Sequence, residues 1–363
     1  MDSEATMLHF FSGNMQVMSD RKKIFVTGAS GLLGGHIVRY FSGFPVQLYG
    51  LVRKESNLSY IHDLPVNLVY GDIRDPERLE AQMNGMDAVI HTAAMVGDWG
   101  VYEDFYTVNV LGTLNILRAA LKNGISSVII TGSVSSYGEE HCMALKDEEW
   151  PDNPHYRYFL HRVLPSAMNF YRETKALSTN EAVAFAEKNV MNLTILEPVW
   201  IYGENESQSG FYEYLKAVSR GMIAMPGDKS NLFHVIYAKE LARAFYLAFE
   251  KNLPGIHRII IGNETPQRLR QIHEQFCIEA DLKPPFILPW FLVYPVAFVM
   301  EMISVVLKRK KSPLLTRARV NMFYDSICYG TGKAERLLSF RNTVPLAEGV
   351  RNTVKWYREN KWL

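Results

Sequence analysis

The 363-residue chain carries 39 Lys and Arg against 38 Asp and Glu, a net charge of +1, with 48% hydrophobic and 21% charged residues. That length allows one large or two modest domains, and the near-neutral balance offers no general field for nucleic acid or acidic ligands. Cys142, Cys277 and Cys328 stand far apart with no CxxC spacing, which argues against a disulfide framework and a structural zinc site and for inert thiols in a reducing compartment.

Residues 1–22 begin acidic and lack a basic stretch followed by a sustained apolar run, so they are expected to be a flexible leader, with Met15 and Met18 as alternative starts. KKIFVTGASGLLGGHIVRYF then reads as strand (24–27), glycine loop and helix from Leu32. Further strands are expected at 46–53, 67–73, 86–94, 126–138 and 193–203, the last three with their exit loops. Helices are expected at 76–85, 104–124 and 168–189. Strands alternating with helices give right-handed crossovers and a parallel sheet, an α/β doubly wound fold. After Gly203 the alternation weakens. A nucleotide-binding domain over 23–202 and 233–262 is therefore expected, with a smaller, mostly helical substrate lobe over 203–232 and 263–363.

Residues 284–307, PPFILPWFLVYPVAFVMEMISVVL, are almost wholly apolar and run into KRKK at 308–311. The length approaches a membrane span. Pro289, Pro295 and Glu301 argue against spanning, and the aromatic residues and basic end suit an interfacial helix. A lobe helix with membrane-surface contact through 284–311 is the first expectation and a true span the second. The expected location is cytoplasmic, with membrane association as a variant.

TGASGLLG places Gly28, Gly31 and Gly34, with Ser30, Leu32 and Leu33, between a strand and a helix. Small residues let the backbone approach a pyrophosphate, and the helix N-terminus supplies N–H donors. The spacing is GxxGxxG rather than GxGxxG, but in the strand–turn–helix context that the function demands. The second strand runs into Arg53 and Lys54, suited to a 2′-phosphate; Glu55 leaves NAD(H) open. NADP(H) is thus preferred over NAD(H). Asp72, followed by Ile73, is expected at the adenine, and Thr92, Ala93 and Ala94 line the cofactor with small side chains. Tyr171 and Lys175 in YRETK share a helix face, a pattern that by itself is equally that of a solvated helix.

Taken in order, TGASGLLG, GDIRD, HTAA, VNVLGT, TGSVSSYG, YRETK and EPVWIYG resemble the extended short-chain dehydrogenase/reductase family, whose Rossmann-type fold the resemblance implies for most of 23–363. It implies Tyr171 and Lys175 as catalytic, with Ser133, five residues before Gly138, as the third member; Ser135 and Ser136 are near enough to be confused with it. It also implies that Asn109 lies by the cofactor in a mainly structural role and that Pro198 abuts the nicotinamide. Tyr171 would give the carbonyl oxygen its proton as hydride arrives, Lys175 would lower the phenol pKa and hold the ribose, and Ser133 would bond the developing oxyanion. The family often has Arg before that proline; here it is Glu197, which puts the local ion pairing in doubt.

The family includes sugar-nucleotide epimerases and dehydratases, which carry an Arg for the diphosphate before the HV strand. Here Ser230, Asn231 and Leu232 stand there, with Lys229 as the candidate cation. The acidic pair after that strand is altered to Lys239-Glu240. HTAAMVGDWGVYEDFYTVNV and PLLTRARVNMFYDS look instead like 3β-hydroxysteroid dehydrogenases and 2-alkyl-3-oxoalkanoate reductases. An alcohol–ketone oxidoreductase for a small hydrophobic, steroid- or lipid-like substrate is therefore expected, with nucleotide-sugar epimerase or dehydratase as the alternative. Trp99 and Tyr102 serve either as pocket walls or as lobe packing. An aromatic, basic insertion at 155–168 is read as a lid or membrane-facing rim. His155 and His161 lack partners at ligand spacing, so no metal is expected. Relatives pair through the helices at 104–124 and 168–189, which implies a homodimer.

Overall fold

Seven short apolar runs pair side by side in one parallel sheet. The protein is seen here as a computed structural model that describes residues 21–138, 144–206, 210–228 and 230–363; most of the expected leader, Cys142 and Lys229 lie outside the described residues. In chain order the elements are β1 (Lys22–Thr27), α1 (Leu32–Phe41), β2 (Val46–Val52), β3 (Val66–Tyr70), α2 (Pro76–Gln82), β4 (Ala88–His91), α3 (Gly112–Lys122), β5 (Ser127–Thr131), α4 (Ala167–Asn189), β6 (Leu193–Pro198), α5 (Gly210–Ser219), α6 (Ala238–Lys251) and β7 (Ile256–Ile261). Then come α7 (Leu269–Glu279), α8 (Trp290–Val306), α9 (Arg317–Met322), α10 (Gly332–Leu338) and α11 (Leu346–Glu359). The strand order is β7-β6-β5-β4-β1-β2-β3, every neighbouring pair parallel. Chain direction across the sheet reverses between β1 and β4, the place where open α/β sheets bind ligands beyond their strand ends.

The central strands are apolar on both faces because helices cover both. Ile37, Phe41 and Phe245 bring α1 and α6 to one face, in a core that runs on into the lobe through Val354 and Tyr357 of α11. Leu79, Ile116, Leu117, Ala182 and Ala186 bring α2, α3 and α4 to the other. Complete burial of each large apolar side chain here stabilises by about 1.5–3 kcal/mol. Beyond β7 the chain is mainly helical, with two short strands pairing back to segments after Tyr202.

Several boundaries differ from the sequence reading for identifiable reasons. β3 ends at Tyr70, not at residue 73, because the Asp72 carboxylate accepts from the Arg74 N–H at 2.9 Å and turns the chain. The helix expected over 104–124 begins as a single turn at Tyr102–Phe105, continues as a π-helical turn at Tyr106–Leu111 and only then becomes α3. In the apolar stretch, Phe286–Leu288 is a short strand against Ala224–Pro226, and α8 starts after Pro289. The spanning alternative for 284–307 is corrected: among the described residues no helix is long and apolar enough to cross a membrane. α8 has 17 residues with Pro295 inside it, and Glu301 meets Arg317 rather than lipid.

Candidate active site

The glycine loop is built by steric exclusion. Gly28 has φ +67°, and a Cβ there would lie 2.9 Å from both the Ala93 nitrogen and the Thr92 hydroxyl oxygen. A Cβ on Gly34 would lie 2.1 Å from the Gly28 carbonyl oxygen. Only glycine lets α1 start this close to β1. Gly31 caps α1 without a side-chain hydrogen bond, so first-turn N–H groups remain available to an anion. Leu33 and Ile73 send their side chains into the two cores, which leaves only their backbone for a ligand. Ser30 and Leu32 are half-buried along the loop. This cradle fits the pyrophosphate of a dinucleotide.

Thr92, Ala93 and Ala94 leave β4 across the loop. Thr27 Oγ1 accepts from the backbone N–H groups of Thr92 and Ala93, both at 3.2 Å, so its own proton goes to His91 Nδ1 at 2.7 Å. Thr113 Oγ1 donates to the Asn109 carbonyl at 2.7 Å and so accepts from His91 Nε2 at 3.1 Å and from Ser178 at 3.1 Å. The partners thus select the Nε2–H tautomer. Burial, with the nearby Lys175 charge adding to it, pushes His91 down to about 3, so the ring stays neutral.

Lys175 Nζ donates to the Thr131 carbonyl at 2.6 Å, which fixes α4 against the end of β5 two residues before Ser133. Burial drives the Lys175 pKa down to about 8, opposed by the Glu197 carboxylate. Tyr171 lies one turn earlier on α4 and is half-buried. Ser133 Oγ is 2.7 Å from Ser135 Oγ. Ser136 donates to the Ser133 carbonyl at 2.8 Å, which removes it from the choice of reactive hydroxyl.

Glu197 finds an arginine, but from another strand. Its side chain is fully buried at the end of β6, where Arg258 on β7 reaches it at 2.9 Å and Tyr137 donates to it at 2.5 Å. Arg258 also pairs with Asp152 at 3.1 Å. Burial is the largest single influence on Arg258 and works against its charge, yet Glu197, Tyr137 and Asp152 together outweigh it and the guanidinium pKa rises. Pro198 follows, buried at the strand end.

Asn109 sits in the π turn with its amide fully engaged. Oδ1 accepts from Met95 N at 2.8 Å, and Nδ2 donates to Met95 O and Thr174 Oγ1, both at 3.1 Å. Its side chain therefore positions the loop after β4 against α4 instead of reaching out to a ligand. At the other end, Arg53 and Lys54 are exposed and line a cleft with Tyr70, Asp72 and Arg78. Arg53 is 3.7 Å from Glu55, an exposed and weak pairing. Arg74 grips Asp72 through two bonds of 2.9 and 2.7 Å, which holds that carboxyl below its ordinary pKa.

The structure thus brings Ser133, Lys175, Glu197 and the glycine loop to the C-terminal ends of the sheet strands, while Arg53 and Asp72 line a cleft beyond β2 and β3. Arg258, Thr113 and Ser178 escaped the sequence reading. Arg258 could have been suspected, as a charge within the apolar run RIII. His155 bonds Glu173 at 2.6 Å, and among the described residues no group of three His, Cys, Asp or Glu could hold a metal.

Over residues 24–262 the chain matches the NAD dependent epimerase/dehydratase family, and it belongs to that family. It is an NAD(P)-dependent oxidoreductase of the extended short-chain dehydrogenase/reductase type. It is 26% identical to a 2-alkyl-3-oxoalkanoate reductase of Stenotrophomonas maltophilia, covering 91% of this chain and 97% of that protein. It is also 26% identical to the decarboxylating sterol-4-alpha-carboxylate 3-dehydrogenase of Saccharomyces cerevisiae, covering 94% and 99%. Its fold matches that of dTDP-glucose 4,6-dehydratase from Streptomyces venezuelae, a structure with NAD bound, at a TM-score of 0.73 and 22% identity over 93% of this chain and 98% of that one.

Proposed function

We propose that the protein interconverts a secondary alcohol and a ketone on a hydrophobic, steroid- or lipid-like substrate, with Tyr171 as acid/base and NADP(H) preferred. The observation that carries the chemistry is the buried Lys175, one turn from Tyr171 on α4, fastened to the carbonyl of Thr131, which stands two residues before Ser133. A nicotinamide cofactor, when bound, supplies or takes the hydride. Tyr171 gives or takes the proton on the substrate oxygen. The Lys175 ammonium, one turn away, would favour negative charge on the Tyr171 oxygen. Ser133 stabilises negative charge on the oxygen, its hydroxyl oriented by Ser135.

The substrate class is supported by the aromatic rings gathered against the start of α4. Phe170 meets Tyr102 edge-on at 5.7 Å, and Tyr102 stacks near Tyr106. Arg317 and Arg319 in the lobe are bound to Glu301 and Asp98, which leaves them poorly placed to grip a diphosphate. The names of the two sequence relatives point the same way. For the cofactor, Arg53 and Lys54 favour a 2′-phosphate.

The test is consumption of NADPH and NADH, side by side, against a 3-ketosteroid and a long-chain 2-alkyl-3-oxo acid. Turnover with NADPH is expected. Tight cofactor binding with no turnover of either ketone, but conversion of a nucleotide sugar, would replace this reading with the epimerase or dehydratase one.

A further inference from the structure

By composition α8 should be an interior helix. WFLVYPVAFVMEMISVV holds a single charged residue, and a helix apolar all round is normally buried all round. Here only a narrow stripe, Val293, Tyr294, Ala297, Glu301 and Ser304, is buried. Phe291 is 67% exposed, Val306 73% and Leu307 59%, and Trp290, Val296 and Ile303 are exposed with them. The open face runs for about 25 Å.

A second element widens it. Phe159, Leu160 and Val163, in the insertion before α4, are all exposed. Their segment is fastened to α8: the Phe159 ring meets Phe298 at 5.4 Å, and the Phe159 N–H donates to the Tyr294 hydroxyl at 3.2 Å. Arg317 completes the attachment. It holds Glu301 through two side-chain bonds of 2.9 Å and donates to the carbonyls of Phe159 and Leu164.

Within α8, its basic tail and the insertion, exposed charge has one sign. Lys308, Arg309, Lys310 and Lys311 follow α8 directly and are exposed, as are Arg157 and Arg162 in the insertion. Between residues 282 and 324 the only acidic residue is Glu301, which is buried against Arg317, and between 153 and 166 there is none. A second copy of this face would bring apolar surface together but offer no carboxylate to these cations. A surface apolar in depth and anionic at its rim matches both features.

We propose that α8 and the 155–166 segment form a docking face for an anionic lipid leaflet, with α8 lying in the headgroup boundary and residues 308–311 over the lipid phosphates. The loop after β4 is tied to the same platform, since Trp99 Nε1 donates to the Arg309 carbonyl at 3.0 Å and Asp98 accepts from Thr316 at 2.8 Å. Docking therefore sets both segments beside the start of α4 against the lipid, and a hydrophobic substrate reaches Tyr171 from that side. That last step rests on the substrate reading above; the docking does not.

The test is flotation of the full-length protein with phosphatidylcholine vesicles and with phosphatidylcholine/phosphatidylserine vesicles, without substrate, at low and high salt. Flotation with the anionic vesicles is expected. Changing Lys308, Arg309, Lys310 and Lys311 to Gln should weaken it about fivefold per cation. Phe291→Ser with Val306→Ser should weaken it at any salt. Retained NADPH fluorescence enhancement shows that the variants are folded. Absence of flotation, or equal flotation on both vesicle types, would overturn the proposal. So would a solution dimer that the Phe291→Ser, Val306→Ser variant dissociates, because the face would then belong to a second copy. Turnover does not enter the readout, so failure of the ketone reading would leave this result standing.

Discussion

Two buried carboxylate–arginine pairs, Glu197 with Arg258 and Glu301 with Arg317, look alike in chemistry and differ in consequence. The first is shared: Glu197 also accepts from Tyr137, and Arg258 also meets Asp152 and lies over the Tyr137 ring at 4.9 Å. Its field reaches Lys175. The second is closed: Arg317 is fully buried, and its remaining donors go to backbone carbonyls of the insertion. A shared pair tunes the site beside it. A closed pair holds two remote segments together and influences the site only through their placement.

The sharpest way to probe the tuned side is to remove what is tuned. Tyr171→Phe should lower single-turnover reduction by about 10²–10⁴-fold with cofactor affinity unchanged. Undiminished turnover would take Tyr171 out of its role and leave the Glu197 pair with nothing to serve. On the closed side, Glu301→Gln should destabilise the fold by about 3–5 kcal/mol in chemical denaturation, because Arg317 is left charged and buried. Replacing both residues by Leu and Met should recover most of that loss, and failure to recover it would mean that the pair does more than close on itself.

The shared pair predicts a pH effect of definite sign. Lys175 is depressed from 10.5 to about 8, so the unfolded chain holds this proton over a range in which the folded chain has lost it. The burial penalty is complete below about 8 and is relieved as pH rises to 10.5. Stability of the wild type relative to Lys175→Met should therefore increase across that window. Glu197→Gln removes the carboxylate that supports the ammonium and should move the alkaline limb of the rate profile to lower pH; a limb that stays in place would show that Glu197 is only structural. The smallest effect is expected farthest from either pair: Arg53→Ala should reduce the preference for NADPH over NADH by about tenfold, equivalent to about 1.4 kcal/mol, measured as the ratio of kcat/KM values.

What could be read from the sequence was what local chain geometry decides. The Gly28 carbonyl excludes a Cβ at Gly34 six residues on, and YRETK places Tyr171 and Lys175 one helical turn apart, so both are legible as strings. The partner of Glu197 was not, because Arg258 becomes its neighbour only when β6 and β7 pair. Glu301 was noticed as a charge in an apolar run and correctly weighed against a span, but its reason, Arg317, lies on the far side of a turn and of four basic residues. Nothing in GDIRD announced that Asp72 would end β3 early by binding the Arg74 N–H. Asn109 was expected in a mainly structural role, yet its two partners, Met95 and Thr174, could be known only from the packing of α4 against the β4 exit loop.

The π turn at Tyr106–Leu111 has its own consequence for how this chain can vary. It behaves as one surplus residue lodged in an otherwise regular helix. Excising a single residue there, such as Val110, would let the helix run on regularly. It would also remove the widened turn that aims the Asn109 side chain at Met95 and Thr174. The grip on Met95 and Thr174 would be lost while nearly every other backbone hydrogen bond survived. Helical content by circular dichroism should then be unchanged while activity collapses, a separation of folding from function achieved by length alone.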